Sequence, residues 1–302
     1  MRRMSVPSDP GLSRDGKSLE DLMDTGSLHK MFRAALRTAA EAAEGAGAML
    51  RRHLHSLKAV EMTAPHDIKL ELDVRTQGWI QRQLVRAFPD IPVVGEEGNS
   101  GEEARDFRWV VDPIDGTVNF AHNIPHACVC VALQARSEIL PSDLPRACGT
   151  GKWVPVVGVV YDPFVDELWT AIRGEAARLN KRTIHVSRTI RLEEAIVMFG
   201  FAKSRANLEK SLPYFSWLAR RVRKVRIMGS AGLGLAYVAC GRFDAYVERQ
   251  VRLWDIAAGS LLVECAGGKF WTRPWDQSET GREAYAMVAS NGLIDPLLPR
   301  PK

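Results

Sequence analysis

The sequence predicts an α/β or layered α+β fold, and three observations support this. Stretches with helical apolar spacing alternate with short strand-like stretches along the chain, and no internal repeat is visible. The 302 residues can bury one sizeable core or two halves, and 46% apolar with 25% charged residues is an ordinary globular composition. We expect a flexible tail over residues 1–26 and a single domain over 27–302, with halves of about 27–186 and 187–302.

The elements follow from the local pattern in order. Ser27 is the predicted N-cap of the first helix, and helices are expected over about 27–56, 74–88, 118–122, 206–221, 231–240 and 256–266. Strands are expected over about 93–94, 108–112, 128–133, 156–161, 168–172, 195–201, 225–228, 244–248, 268–271 and 287–290. Residues 137–155, rich in Pro and Gly, indicate a long hairpin excursion between two strands.

Charge and cysteine usage exclude several classes. The net charge of +5 is compatible with anionic substrates but does not indicate a nucleic-acid partner. No apolar run could span a membrane, and residues 1–26 lack the apolar segment of a signal peptide, so we expect no membrane partner. The five scattered cysteines form no CxxC pair, which favours a reducing cytoplasm. Cys128 and Cys130 alternate on a predicted strand and are expected to be buried thiols on one face.

Acidic residues gather at element ends, where chemistry is often placed. They are Asp73 at the second helix, Glu96-Glu97 after a strand, Asp112 and Asp115 around a turn, and Asp255 before a helix. Because Pro113 interrupts a strand ladder, we expect the chain to leave the strand at Asp112. Two carboxylates at such a turn can converge on Mg²⁺, which prefers oxygen ligands. The N–H groups of Gly116 and Thr117 would then face an anion from a helix start.

Each of these features has a simpler interpretation when it stands alone. The turn that begins at Asp112 consists of turn-forming residues and could be a surface turn. Glu96-Glu97 could be a solvated pair, and Asp255 could be only the N-cap of the helix that begins at Ile256. It is their joint occurrence, each beside apolar strand-like residues, that indicates a site.

Together these motifs resemble the inositol monophosphatase family, which belongs to a superfamily of Mg²⁺-dependent, Li⁺-sensitive phosphatases. The residues that carry the resemblance are Gly95-Glu96-Glu97, 112–120 and 254–259, and the stretches 226–231 and 241–248 are similar to bacterial members. The resemblance implies an αβαβα sandwich of the sugar-phosphatase type, usually a homodimer. It also implies a hydrolase that releases phosphate from a small phosphate monoester, first of all inositol monophosphate.

The resemblance implies roles residue by residue. Metal ligands would be the side chains of Glu96, Asp112, Asp115 and Asp255 together with the carbonyl of Ile114. Catalytic roles would fall to Asp73, Thr117 and Glu96, with Asp73 and Thr117 orienting the attacking water. Gly116 and Thr117 would bind phosphate, and Glu248 would bind substrate hydroxyls. Metal-activated water would attack directly, because no nucleophilic Cys or Ser motif is visible.

The chain departs from the family pattern at several positions, which leaves the substrate open. Leu70 stands where Thr is usual, Gln77 where Glu is usual and Gly234 where bacterial relatives often have Asp, and the 137–155 excursion is long. Phosphatases of histidinol phosphate, fructose 1,6-bisphosphate or 3′-phosphoadenosine 5′-phosphate are alternatives in the same superfamily. A non-catalytic phosphate-binding regulator is an alternative of another class, and it would be expected to lack a metal carboxylate.

Overall fold

The computed structural model describes residues 25–56, 60–64, 67–99, 101, 104–145, 152–201, 205–275 and 284–301. Its helices are α1 Thr25–His53, α2 Glu71–Ala87, α3 Thr117–Ala121, α4 Arg205–Ala219, α5 Ala231–Ala239 and α6 Leu253–Cys265. The predicted tail lies outside the described residues except for its last two positions, so the tail and the single-domain division stay predictions.

Fourteen strands form three sheets within the described residues. In chain order they are β1 Val60–Ala64, β2 Asp67–Leu70, β3 Val93–Gly95, β4 Phe107–Asp115, β5 Cys128–Arg136, β6 Trp153–Asp162, β7 Glu167–Ile172, β8 Arg178–Leu179, β9 Arg182–Thr183, β10 Ile196–Phe199, β11 Lys224–Arg226, β12 Ala245–Val251, β13 Lys269–Pro274 and β14 Tyr285–Ser290. The large sheet has the order β3-β4-β5-β6-β7-β8-β9, the second has β11-β10-β12-β14-β13, and β1 pairs with β2.

The elements stack in five layers, which confirms the predicted αβαβα sandwich. Helices α1 and α2 cover one face of the large sheet, and α5 and α6 contact both the large and the second sheet. Helix α4 contacts the second sheet at β11. Three buried apolar clusters fill the spaces between successive layers, with Phe32, Leu261 and Phe199 among their members. The site described below lies where strands of the large sheet end against α5 and α6.

The structure corrects one predicted strand end. Strand β4 continues through Pro113 to Asp115, whereas we expected the chain to leave the strand at Asp112. Its pairing with β5 shifts register between Asp112 and Asp115, which is a β-bulge. A bulge leaves one residue of the strand unpaired, so a proline without an N–H is tolerated there even in an inner strand.

Helix α1 begins at Thr25, so Ser27 lies inside it and is not its N-cap, and two further helices begin three residues earlier than predicted. Helix α2 starts at Glu71 and α6 at Leu253, so Asp73 and Asp255 lie in the first turns of their helices. Asp255 is therefore not the N-cap that the simpler interpretation made it. The predicted hairpin excursion does join the paired strands β5 and β6, but its residues 146–151 lie outside the described residues.

Candidate active site

The C-terminal end of β4 carries two buried carboxylates at the bulge. Asp112 pairs with Cys130 and Asp115 with Cys128 in β5, so three steps along β4 match two along β5. The two acidic residues are only 2% and 7% exposed. Buried carboxylates need hydrogen-bond donors or cations, and the fold supplies more donors to Asp115 than to Asp112.

Asp115 is held by donors from the start of α5. Its Oδ2 accepts hydrogen bonds from Ser230 Oγ at 2.5 Å and Gly232 N at 2.6 Å, and its Oδ1 accepts from Ala231 N at 3.1 Å. The Cys128 thiol is a fourth donor, with Sγ 3.4 Å from Oδ2. Burial raises the pKa of Asp115, and these hydrogen bonds oppose the rise because they favour the carboxylate.

Asp112 lies among other acids. Its Oδ1 accepts a hydrogen bond from Ile114 N at 3.0 Å. Burial raises the pKa of Asp112 well above its usual range, and the charges of Glu96, Asp115 and Asp255 raise it further. The pKa of Asp255 is raised in the same way, by burial and then by the charge of Asp115. The fold therefore gathers acids from the end of β3, from β4 and from α6 in one place, where those of β4 are buried and the others half-buried.

The starts of α2 and α6 use the same hydrogen bond. Leu70 N donates to Asp73 Oδ2 at 2.7 Å, and Arg252 N donates to Asp255 Oδ2 at 2.7 Å. In each case a carboxylate in the first turn satisfies the backbone N–H of the N-cap residue. This bond fixes the rotamer of each Asp. Strand β2, which runs directly into α2, contacts α3, so the Asp73 end of α2 lies near the turn at the end of β4.

That turn depends on a glycine. Gly116 has φ +95°, and a side chain there would put its Cβ 2.9 Å from the carbonyl oxygen of His126. Helix α3 begins at the next residue, where Thr117 Oγ1 donates to Ile114 O at 2.8 Å. The Thr117 hydroxyl thus donates its only proton to Ile114 O and can act only as an acceptor towards other groups.

Glu248 lies beside the acid cluster. The charges of Asp115 and Asp255 interact with it, and the Tyr246 hydroxyl donates a hydrogen bond to its Oε2. Burial raises the pKa of Glu248 to about 7, the Tyr246 hydrogen bond lowers it and Asp115 raises it. Burial also raises the pKa of Tyr246 well above its usual range, so this phenol stays protonated and donates.

Three supporting residues were not assigned roles from the sequence. Ser230 caps α5 through Leu233 N and also donates to Asp115. Asn119 Nδ2 donates to His126 O at 2.9 Å and Met228 O at 2.8 Å, which ties α3 to the segment before α5. Both positions lie inside stretches that carried the family resemblance, and that was the available signal.

Gln77 is the third supporting residue. Its amide donates to Gly98 O and accepts from Glu97 N, both at 2.9 Å. These bonds join α2 to the loop that carries Glu96. A Glu at this position, the usual residue in the family pattern, could accept from Glu97 N but could not donate to Gly98 O while ionised.

The donor set fits a hard cation. Asp112, Asp115 and Asp255 offer carboxylate oxygens, with Glu96 beside them, and their mutual repulsion raises the pKa values of Asp112 and Asp255. A divalent cation bound among them would remove that repulsion, and all-oxygen ligands suit Mg²⁺ better than softer ions. The structure thus brings together the predicted metal carboxylates and Glu248.

Comparison with known proteins agrees with this arrangement. The sequence profile of the inositol monophosphatase family matches residues 33–142 and 150–298. The segment between these two matched stretches lies within the predicted 137–155 excursion. The chain is 38% identical to an inositol-1-monophosphatase from Synechocystis over 76% of this chain and 74% of that protein. It is 36% identical to the Nus factor SuhB from Xylella fastidiosa over 79% and 82%.

A solved structure shows the same fold. The extragenic suppressor protein suhB from Bartonella henselae has a TM-score of 0.76 and 31% identity, covering 88% of this chain and 96% of that one. The chain therefore belongs to the inositol monophosphatase family, and this membership supports its assignment as a phosphatase. Among the described helices, none has the length and apolar character needed to cross a bilayer. The cytoplasmic location and the homodimer stay predictions.

Proposed function

We propose that this chain hydrolyses a small phosphate monoester, inositol monophosphate, in a Mg²⁺-dependent reaction. The observation that carries the proposal is the gathering of Asp112, Asp115 and Asp255 in one place, with the first two buried and Asp255 half-buried. Desolvation and neighbouring charge raise the pKa values of Asp112 and Asp255 there. A bound cation would remove the repulsion within such a cluster. The predicted metal carboxylates are all present, which counts against a non-catalytic phosphate-binding regulator.

Named residues would hold the metal. The ligands would be the carboxylates of Glu96, Asp112, Asp115 and Asp255 and the carbonyl of Ile114, whose second lone pair is not used by Thr117. When bound, Mg²⁺ supplies positive charge that neutralises the phosphate and lowers the pKa of a water molecule.

The turn at Thr117 would serve the substrate and the water. Because the Thr117 hydroxyl donates to Ile114 O, it can only accept a hydrogen bond from a water. One O–H of that water would then point at Thr117, which orients its oxygen lone pairs. The backbone N–H groups of Gly116 and Thr117 would bind phosphate oxygens as the first turn of α3 leaves them without intrahelical partners. Asp73, fixed by Leu70 N, would orient the same water.

Glu248 would select the alcohol part of the substrate. It lies beside Asp115 and Asp255, so a phosphate held at the metal carboxylates would place its ester group within reach of Glu248. A carboxylate accepts hydrogen bonds from polyol hydroxyls. This supports inositol monophosphate over an ester without hydroxyls.

Metal dependence is the first test. We expect turnover of inositol monophosphate that requires Mg²⁺, stops in EDTA and is inhibited by Li⁺ and by excess Ca²⁺, because Ca²⁺ accepts a looser geometry than Mg²⁺. The Asp255→Asn variant should lose this activity, and Glu138→Gln, which changes an exposed acid outside the cluster, should keep it. Full activity in EDTA would contradict the proposal.

Substrate choice is the second test. A hydrogen bond to a charged group is worth roughly 1.5–3 kcal/mol, so Glu248→Ala should lower kcat/KM for inositol monophosphate by about 10- to 150-fold. The loss on an aryl phosphate, which has no hydroxyls, should be small. Histidinol phosphate, fructose 1,6-bisphosphate and 3′-phosphoadenosine 5′-phosphate complete the panel. Equal losses on inositol monophosphate and the aryl ester would remove Glu248 from substrate binding.

A further inference from the structure

Two cysteines lie directly against the acid cluster. Cys128 and Cys130 alternate on β5 and project to one face, where both are completely buried. Their sulfur atoms are 3.7 Å apart, and Cys128 Sγ is 3.4 Å from Asp115 Oδ2. The hydroxyl oxygen of Ser230 is 3.7 Å from Cys128 Sγ. Two thiols, a carboxylate and a hydroxyl therefore share one small space, and the proposed phosphatase reaction uses only the carboxylate.

The spacing matches a tetrahedral site for a thiophilic metal ion. Zinc sites in proteins have Zn–S distances of about 2.3 Å and Zn–O distances of about 2.0–2.2 Å, which place two sulfurs roughly 3.8 Å apart and a sulfur and an oxygen roughly 3.5 Å apart. The observed separations, 3.7 Å and 3.4 Å, agree with both values. The ligand atoms of Asp115, Cys128 and Cys130 all lie within 4.8 Å of one another.

Gly232 shows that the three donor atoms face a common point. A Cβ built on this residue would lie 2.4 Å from Cys130 Sγ, 2.9 Å from Cys128 Sγ and 3.0 Å from Asp115 Oδ2. Any side chain at position 232 would press against all three atoms. The backbone of Gly232 therefore packs directly against the three donor atoms on the α5 side.

A disulfide is a poorer use of the same pair. A disulfide bond needs sulfur atoms about 2.05 Å apart, so these sulfurs would have to approach by more than an ångström on a strand whose backbone is fixed by two neighbours. A metal ion needs no such movement. It needs the loss of the two thiol protons, and ionisation of Cys128 removes the weakest of the three donors that Asp115 Oδ2 now accepts from.

We propose that Cys128, Cys130 and Asp115 form a second metal site that takes a thiophilic divalent cation of the Zn²⁺ or Cd²⁺ type. Thiolate ligands select such ions over Mg²⁺. An ion bound here withdraws Asp115 from the proposed Mg²⁺ site, so it inhibits turnover. This effect on turnover rests on the proposed phosphatase function, whereas the binding itself rests on the geometry alone.

The test is a titration of the purified full-length chain with Cd²⁺ under reducing conditions and without phosphate. We expect one equivalent to bind with thiolate-to-metal charge-transfer absorbance in the ultraviolet, and millimolar Mg²⁺ should not displace it. Cys128→Ala and Cys130→Ala should each weaken binding by more than about 10-fold, since even loss of an outer-shell partner has that effect. Cys240→Ala, which changes a thiol outside the cluster, is the matched control and should bind Cd²⁺ like the unmodified chain.

Several outcomes would overturn the proposal. They are absence of the charge-transfer band at one equivalent of Cd²⁺, unchanged affinity in the Cys128→Ala, Cys130→Ala double variant, or loss of the band in Cys240→Ala. If the double variant does not fold, the band in the unmodified and Cys240→Ala chains decides. Binding without inhibition of turnover would support the site and count against the placing of Asp115 in the phosphatase reaction, so the two proposals fail separately.

Discussion

Asp112 and Asp115 stand three residues apart at one bulge, yet the fold treats their charges differently. Asp115 accepts from Ser230, Ala231, Gly232 and Cys128, while among the described residues Asp112 accepts one bond, from Ile114 N. Burial raises the pKa of both acids. For Asp112 the next-largest contributions are neighbouring carboxylates, which raise the pKa further, whereas for Asp115 they are hydrogen bonds, which lower it.

The difference separates two tasks. Asp115 joins β4 to the start of α5 and is partly stabilised as an anion by the protein itself. Asp112 has a folded-state pKa above its unfolded value, so its ionised form destabilises the metal-free fold, and the penalty grows as pH rises through that pKa. Asp112 therefore depends on a cation in a way that Asp115 does not.

Replacing Asp112 gives the largest expected contrast. Asp112→Asn should lower kcat by at least about 10²–10³-fold, the loss seen when one preorganised electrostatic contact is removed. Without metal, the same variant should have a free energy of unfolding higher by on the order of 1 kcal/mol, and so a higher melting temperature, because one of several like charges is gone. Steady-state turnover and thermal melting in EDTA measure the two effects.

The pH dependence of that stabilisation has a definite sign. Since the Asp112 penalty fades as pH falls from the raised folded-state pKa towards the ordinary value, the gain in melting temperature should be smaller at acidic than at neutral pH. Glu138→Gln, an exposed change, should show no gain at either pH. A metal-free Asp112→Asn protein that melts lower than the unmodified chain would contradict the comparison.

Replacing Asp115 should give the opposite change in stability. Asp115→Asn should also lose turnover, but its amide cannot accept from every donor that the carboxylate satisfies. Leaving buried donors at Ala231 or Gly232 without an acceptor costs about 1–3 kcal/mol, so the metal-free protein should unfold at lower denaturant concentration. Stability equal to that of Asp112→Asn would show that the α5 donors do not matter.

Thr117 follows the two acids at the start of α3 and tests the turn there, since its hydroxyl bonds to Ile114, which lies between them in sequence. Thr117→Ala should lower kcat by roughly 10- to 100-fold with a smaller effect on KM, because the proposed contact to water matters most in the transition state. Thr117→Ser keeps the hydroxyl bonded to Ile114 O and should retain most of the activity. An unchanged kcat in Thr117→Ala would return this residue to a structural role at the start of α3.

Helical and strand spacing predicted the α/β class and placed acidic residues at element ends, because these are local signals. The five-layer order and the set of metal carboxylates came from the family resemblance. Most elements appear with boundaries shifted by a few residues. The bulge at Pro113 was missed because it depends on the pairing of β4 with β5, which no local pattern contains. The early starts of α2 and α6 were missed because Leu70 and Arg252 are not N-cap residue types.

What could not be predicted arises from long-range contacts. Ser230 reaches Asp115 across 115 positions, and Asn119 reaches Met228 across 109. The two thiols were correctly expected on one buried face of a strand. Their contact with Asp115 needed the register between β4 and β5, which only the fold supplies.

The departure at position 234 has a physical reason in the structure. A Cβ on Gly234 would lie 2.4 Å from Met198 Sδ and 2.9 Å from the Tyr246 ring. An Asp there would displace Tyr246, whose hydroxyl donates to Glu248.

Glu248 is intermediate between the two acids compared above. One phenol stabilises its charged form, while burial and the charge of Asp115 oppose it.

The smallest expected effect sharpens this intermediate case. Tyr246→Phe removes the donor that lowers the pKa of Glu248, so that pKa should rise above its value of about 7 and less carboxylate should be present at neutral pH. A typical hydrogen bond contributes about 0.5–1.5 kcal/mol, so kcat/KM for inositol monophosphate should fall roughly 2- to 12-fold near pH 7. Most of that loss should disappear near pH 9, where Glu248 is ionised in both proteins, and an aryl phosphate should show no loss at either pH. A loss that is equal at both pH values, or equal on both substrates, would mean that the Tyr246 hydroxyl does not act through the charge of Glu248.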